Sequence, residues 1–244
     1  MNKLLKIFLS MMLLGVVSIL SLNIYFYFID YNSIIKTKSK IWAHRTNSID
    51  SIEKAILKEV GGVEIDIFYS EQYNRFVITR NNKDTLKEDN LVLEDVLKRF
   101  SNEDTYFWLD FHRLEFLSID EQQKAFEKLV FLSDKYNIKN KIVLESQSSR
   151  HLKRYTKNGF FTISLYSFGD NESSLKKLYR EYRFKISYVL NQNFSGFSVD
   201  QNQYGQLFDK FTNIPVFIFT VNDTKKIEKY KRLDNIKVIL TDKY

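Results

Sequence analysis

The chain has no cysteine and little proline or glycine: its 244 residues include 0 Cys, 1 Pro and 7 Gly. Without cysteine it can form no disulfide, use no thiol nucleophile and build no Cys-ligated zinc or iron–sulfur site. Because proline and glycine are so few, we expect Asn, Asp and Ser to supply much of the turn chemistry. Hydrophobic residues at 44% and charged residues at 27% are nevertheless typical of a globular protein and exclude a disordered chain.

Histidine is also scarce, and the net charge has one sign. Histidine-dependent chemistry has three candidates, His44, His112 and His151, and His151 lies in a basic helical stretch typical of a surface. The formal net charge of +7 favours anionic partners. The basic stretches 150–157 and 176–185 are predicted to be solvated helix faces. No nucleic-acid-binding module is visible, so we expect no nucleic-acid partner.

One uncharged apolar run, residues 7–28, precedes the rest of the chain. A helix of this length can cross a hydrocarbon core about 30 Å thick. The alternatives are a cleaved signal peptide or a buried core helix, but no small-residue cleavage motif follows the run, which ends in aromatic residues. We therefore predict a transmembrane signal-anchor over residues 1–30, a linker over 31–39, and a single-pass membrane protein whose folded domain lies outside the cytoplasm.

From residue 40 onward, short apolar runs alternate with helical patterns such as 48–59, for which Ser48 is a plausible N-cap. This alternation predicts βα units and a parallel sheet. About eight such units over roughly 200 residues fit a compact (β/α)8 TIM barrel over residues 40–244. A doubly wound open sheet is the second possibility, weakened because no glycine-rich phosphate loop follows the first strand. The predicted strands are Ile41–His44, Gly62–Phe68, Phe76–Thr79, Tyr106–Phe111, Lys141–Glu145, Phe161–Tyr166, Lys185–Leu190, Gly196–Val199, Val216–Val221 and Lys237–Leu240.

Polar side chains interrupt two of the apolar strands near their ends. Glu64 and Asp66 are two residues apart on one strand, and Asp110 and His112 repeat that spacing on another, so each pair shares a face. Catalytic groups of parallel α/β folds lie at such carboxyl ends. Two carboxylates on a buried face need a compensating cation, and a hard divalent ion is the natural one. The alternatives are a half-exposed edge strand for the carboxylates and a structural role for the histidine.

The order of these segments resembles the glycerophosphodiester phosphodiesterase family. Residues 44–45 (HR), 47–48 (NS) and 64–66 (EID) stand at the family's His-Arg, Asn-Thr and Glu-x-Asp motifs, and Ala55 falls on the alanine of the intervening helix. Residues 91–100 (LVLEDVLKRF) are similar to a further family helix. The segments FWLDFH, FIFTVND and VILTDKY resemble its later strands, with Asp110 in place of Glu and His112 in place of Lys. The resemblance spans nearly all of residues 40–244.

The chain departs from the family pattern at two functional positions. Thr46 stands where the family has glycine after His-Arg. The family's second catalytic histidine follows the next strand in a His-Asp pair, and the matching place holds Arg80-Asn81 or their neighbours. The sequence has no histidine there.

The resemblance implies a TIM-barrel phosphodiesterase with a divalent cation, Mg²⁺, Ca²⁺ or Mn²⁺. It implies a ligand that is a small phosphodiester or a lipid head group. A catalytically inactive member that binds phosphate-bearing ligands or envelope partners is the alternative, and a barrel that serves only as a scaffold is a third possibility. Phe219 has two equal interpretations, substrate contact and core packing. The implied roles are acid–base catalysis for His44 with His112 replacing the missing histidine, substrate binding for Arg45, Arg80 and Phe219, and metal binding for Glu64, Asp66 and Asp110.

Overall fold

The computed structural model describes residues 3–28, 35–79, 90–111, 113–167, 173–189, 193–207 and 214–244. The apolar run lies within helix α1, Lys3–Phe28. Among the described residues, no helix combines the length and the apolar character that crossing a membrane requires. The predicted transmembrane helix is therefore not supported by the structure.

Nine strands lie within the described residues, and eight of them form a closed parallel ring. Around the ring each strand pairs with its neighbours, and the last strand pairs back with the first. This closure confirms the predicted (β/α)8 barrel and excludes the open sheet. The strands are β1 Ile41–Ala43, β2 Gly62–Ser70, β3 Arg75–Ile78, β4 Tyr106–Asp110, β5 Ile142–Ser146, β6 Phe161–Tyr166, β7 Gly196–Asp200, β8 Val216–Phe219 and β9 Ile236–Thr241. The helices after α1 are α2 Ile49–Leu57, α3 Leu93–Phe100, α4 Ile119–Lys135, α5 Ser149–Lys157, α6 Ser174–Val189, α7 Tyr204–Leu207 and α8 Thr224–Lys231.

Two of the ten predicted strands do not belong to the ring. The segment predicted at 76–79 is β3, which pairs antiparallel with β2 and extends that strand outside the barrel. The strand predicted at 185–190 is wrong, because residues up to Val189 belong to helix α6. The segment instead continues a buried helix face that begins at Phe184: Phe184 and Tyr188, four residues apart, stack with ring centroids 6.1 Å apart. A run rich in β-branched and aromatic residues cannot be distinguished from a strand by pattern alone.

Aromatic side chains fill one layer of the barrel interior. Trp42 from β1 packs edge-on against Trp108 from β4 and Phe217 from β8, with ring centroids 6.5 and 6.4 Å apart. Gly62 on β2 makes room for this layer, because a Cβ there would lie 2.6 Å from the Trp42 ring. Since alternate residues of a strand face the same side, the next inward positions lie toward the carboxyl ends of the strands. The aromatic layer is thus the floor beneath those positions.

Helix α2 begins beside the carboxyl end of β1. Ser48 is its N-cap, as predicted, and forms a capping box with Ser51. On its inner face the helix buries Ile52 and Ala55. The capped start fixes the β1–α2 connection, residues 44–48, over the mouth of the barrel.

Candidate active site

A cavity of about 400 Å³ opens at the carboxyl ends of the barrel strands. Parallel barrels place their catalytic groups at this end. We call it the acidic cavity because four of its lining side chains are carboxylates. Its lining includes His44, Glu64, Asp66, Trp108, Asp110, Glu145, Gln147, Leu165 and Phe219.

Three of the carboxylates converge as the sequence predicts. Glu64, Asp66 and Asp110 each place one carboxylate oxygen within 4.8 Å of those of the other two. Asp66 and Asp110 are register partners on the paired strands β2 and β4. Glu64 and Asp66 are 3% and 0% exposed, so solvent cannot offset their charges. An all-oxygen set of buried carboxylates fits a hard divalent cation such as Mg²⁺, Ca²⁺ or Mn²⁺.

The β1–α2 connection holds two of these carboxylates in place. The backbone N–H of Arg45 donates to Glu64 Oε2 at 2.6 Å. The side chain of Asn47 donates to Asp66 Oδ2 at 2.6 Å and accepts from the Asp66 N–H at 2.9 Å. Arg45 adopts a positive φ of 57°, and Thr46 turns inward to donate its hydroxyl to the Glu64 carbonyl at 2.7 Å. The connection is therefore formed although Thr46 replaces a glycine.

His44 is held by a polar chain that crosses to β9. Its Nδ1 lies 2.8 Å from Asp242 Oδ1, and Asn222 Nδ2 donates to Asp242 Oδ2 at 2.7 Å. Burial alone would raise the pKa of Asp242, but the hydrogen bonds from Asn222 and His44 outweigh it and hold that pKa below its ordinary value. An ionised Asp242 fixes the tautomer and the orientation of the imidazole. This aspartate lies within the segment VILTDKY, where no local pattern indicates a role for it.

Glu145 is the fourth carboxylate of the cavity and is not among the site residues predicted from the sequence. It is 6% exposed and stands in register with Asp110 on the neighbouring strand. The indole N–H of Trp108 donates to its Oε2 at 2.7 Å, and the hydroxyl of Ser198 donates to its Oε1. Burial raises the pKa of Glu145 well above its ordinary value, and the charges of Asp110 and Glu64 raise it further. Glu145 ends a predicted strand, two residues after inward-facing Val143. The two-residue period of a strand could therefore have placed its side chain in the barrel mouth.

The remaining predicted site residues have different outcomes. Phe219 lines the acidic cavity and also packs against the inner aromatic layer, so both of its interpretations have a structural basis. Arg45 contributes its backbone N–H, and its exposed side chain lies near enough to Asp242 to help lower that pKa. Arg80 and His112 lie outside the described residues, so their roles stay predictions.

No protein-family model matches the chain, and no curated protein matches it. Several solved structures do. A glycerophosphodiester phosphodiesterase from Parabacteroides distasonis has a TM-score of 0.61 and 19% identity over 85% of this chain and 94% of that one. A phosphodiesterase from Oleispira antarctica in complex with the product sn-glycerol-3-phosphate has a TM-score of 0.58 and 13% identity, covering 83% and 92%. A glycerophosphodiester phosphodiesterase from Agrobacterium tumefaciens has a TM-score of 0.55 and 11% identity, covering 84% and 96%. At identities this low, the structural likeness shows a shared barrel fold. Function has to be argued from the site itself.

Proposed function

We propose that this protein is a phosphodiesterase that hydrolyses glycerophosphodiester-like or lipid-derived phosphodiesters with the help of a divalent cation. The convergence of Glu64, Asp66 and Asp110 beside His44 in one cavity carries the proposal. It is supported by the likeness of the barrel to solved glycerophosphodiester phosphodiesterases. The expected ligand is a small phosphodiester or a lipid head group, as the product bound to the Oleispira antarctica neighbour suggests.

The carboxylate trio is the proposed cation site. Glu64, Asp66 and Asp110 would hold the ion, and a bound divalent cation offsets negative charge on the phosphoryl oxygens of the substrate. Asn47 and the Arg45 N–H orient two of these carboxylates by direct hydrogen bonds. Orienting contacts of this kind reduce the reorganisation that ligand binding would otherwise require.

His44 is the proposed acid–base group. With ionised Asp242 accepting from Nδ1–H, the neutral imidazole has its basic nitrogen at Nε2. We assign to Nε2 the removal of a proton from the attacking hydroxyl. General acid–base catalysis contributes roughly 10²–10⁴-fold, so the loss of one of two histidines need not abolish turnover. The protonation of the leaving alcohol is assigned to His112, as the sequence predicts, or to solvent.

A non-catalytic binder of phosphate-bearing ligands is the second candidate. It is favoured by one observation, the Arg80-Asn81 pair where a second histidine would be expected. The two candidates use the same cation site and differ only in turnover.

The deciding experiment offers the full chain bis(p-nitrophenyl) phosphate and glycerophosphodiesters with Mg²⁺, Ca²⁺ or Mn²⁺, with a chelator as the blank. We expect cation-dependent release of nitrophenol or alcohol and a rise in Tm when the cation is added. A rise in Tm without hydrolysis would favour the binder. Neither response with any of the three cations would overturn both candidates.

A further inference from the structure

A second cavity, of about 410 Å³, lies between the carboxyl end of β6 and helix α6. Arg180 and Arg183 reach it from α6, and four serines add hydroxyl groups. No aspartate or glutamate is among the described residues that line it. We call it the basic cavity. The serines are Ser149, Ser164, Ser167 and Ser187.

The basic cavity adjoins the acidic cavity. Gln147 after β5 and Leu165 on β6 line both of them. Together, the described residues of the two cavities form a continuous lining at the mouth of the barrel, with carboxylates around the trio and arginines beside α6. A ligand with its phosphorus at the trio can therefore extend into the basic cavity without leaving the protein surface.

The arginines are placed to contact an anion in this cavity. Arg180 Nη1 donates to the Ser167 carbonyl at 2.6 Å, which ties its guanidinium to the end of β6. The Arg183 guanidinium lies over the Tyr179 ring, 5.7 Å from the centroid. A guanidinium stays charged at every accessible pH and presents planar donors that match the oxygens of a carboxylate or a phosphate. Serine hydroxyl groups can complete such a set.

We infer that the basic cavity binds a second anionic group of the substrate, a carboxylate or a phosphate ester carried beyond the scissile phosphorus. This inference rests on the proposed phosphodiesterase function. It assigns to the Arg180–Arg183 face of α6 a preference for diesters that carry such an additional anion. The acidic cavity would then hold the cation and the reacting phosphorus, and the basic cavity would select the substrate.

The test compares substrates that differ in one anionic group. Glycerophosphoserine differs from glycerophosphoethanolamine by a carboxylate, and glycerophosphoinositol 4-phosphate differs from glycerophosphoinositol by a phosphate. The full chain is assayed for kcat/KM on all four with the activating cation. Two charge-assisted contacts give an expected preference of about tenfold for the anionic member of a pair. The pair with the larger ratio shows whether carboxylate or phosphate is the better fit.

Arg183→Gln and Arg180→Gln are the test variants. We expect each to lower kcat/KM more for the anionic member than for the other member, so that the ratio falls toward one. A structural defect would lower kcat/KM for both members of a pair together. The ratio would therefore stay unchanged if Arg180→Gln only disturbed the end of β6. Arg232→Gln is the matched control: Arg232 is exposed at the end of α8, where the Lys231 carbonyl accepts from Lys40 just before β1, at the opposite end of the barrel.

A binding arm separates this inference from the proposed function. The four diesters are titrated calorimetrically into the full chain with chelator present, so that binding is measured without turnover. Suppose that no diester is hydrolysed, but the anionic members bind more tightly and both arginine variants abolish the difference. The phosphodiesterase proposal then fails, and the assignment of an anion-binding role to the basic cavity is supported. If the diesters are hydrolysed with equal efficiency and the variants change no ratio, the inference is overturned.

Discussion

The two neighbouring cavities at the barrel mouth differ in the elements that supply their charged side chains and in how deeply those side chains are buried. The acidic cavity takes its carboxylates from strands, where Glu64 and Asp66 are buried under the β1–α2 connection. The basic cavity takes its arginines from the outer helix α6, and Arg180 and Arg183 are exposed. Buried charges of one sign are costly unless a counter-ion joins them, whereas exposed arginines are already solvated. The carboxylates of the acidic cavity would therefore be stabilised by a bound cation, whereas the arginines of the basic cavity are stable in water without an anion.

This difference predicts where large and small effects should fall. A change in the carboxylate trio of the acidic cavity should alter both cation binding and stability, because its groups interact in a low-dielectric interior. A change in the basic cavity should alter only the choice of substrate, because its groups are screened by water.

Neutralising one carboxylate of the trio should have the largest effect. Asp66→Asn keeps the shape of the side chain but removes a charge that the cation needs. We expect kcat/KM to fall about 10³-fold or more and the cation-induced rise in Tm to disappear. The metal-free protein should become more stable, because one buried like charge is gone. Exposed Asp104→Asn is the control, and an undiminished cation response in Asp66→Asn would remove the trio as the cation site.

Removing the imidazole of His44 should have the next largest effect. His44→Ala should lower kcat by roughly 10²–10⁴-fold and leave the cation-induced rise in Tm intact, since proton transfer and cation binding use different groups. His151→Ala is the matched control, because its Nδ1 contacts Ser148, the N-cap residue of α5, and it is not among the residues lining the acidic cavity. Steady-state kinetics and thermal melts on the same samples would separate the two roles. Equal activity in the two alanine variants would contradict the assignment.

Asp242→Asn should weaken catalysis by a smaller factor. Asn222 still needs an acceptor, so the new amide would turn its NH₂ toward His44 and favour the proton on Nε2, the wrong nitrogen for a base. We expect a loss of roughly 10²-fold in kcat, with the imidazole still present. Asp242→Glu, which retains the charge, should recover part of the activity. An unchanged rate in Asp242→Asn would show that the His44 tautomer does not limit turnover.

The same variant has a defined dependence on pH. The folded-state pKa of Asp242 lies below its ordinary value of 3.8, so its ionised form stabilises the fold above that value. This contribution is lost as the pH falls through the lower folded-state pKa. Wild type should therefore exceed Asp242→Asn in Tm at neutral pH, and the gap should close below about pH 4. Melts between pH 2.5 and 7 would measure it, and a gap that widens toward acid would have the wrong sign.

Glu145→Gln should have the smallest effect in the acidic cavity, and it should be stabilising. The amide can accept from Trp108 and donate to Ser198, so both contacts survive. Because the folded-state pKa of Glu145 is raised above 4.5, its ionisation costs stability increasingly as the pH rises from that value. With chelator present we expect Tm to exceed wild type by a few degrees at pH 8 and by less at pH 4.5. A lower Tm at pH 8 would contradict this, and exposed Glu103→Gln is the control.

The sequence could predict the parts of the site that follow from local periodicity. The two-residue period of a strand puts Glu64 and Asp66 on one face, and the carboxyl-end rule brings Asp110 beside them. The barrel itself follows from the regular alternation of short apolar runs and helical patterns. The N-cap role of Ser48 also follows from local sequence alone.

The parts that it missed depend on long-range pairing or on the third dimension. The His44–Asp242 contact joins residues 198 positions apart, and no local pattern indicates which strand closes the ring beside β1. The strand expected at 185–190 failed because aromatic and β-branched residues also suit a buried helix face. Glu145 follows the same periodicity as Asp110, but it looks like an ordinary strand end until its register partner is known.

The indole of Trp108 lines the acidic cavity, so tryptophan fluorescence can be used to monitor this site. Its N–H donates to Glu145, and its ring lies 6.5 Å from that of Trp42, the other of the 2 tryptophans in the chain. We expect a cation bound by the trio, which lies in the same cavity as Trp108 and Glu145, to change the electric field on this indole and with it the tryptophan emission. The protein thus carries its own optical reporter, and cation titrations can be recorded without an attached dye.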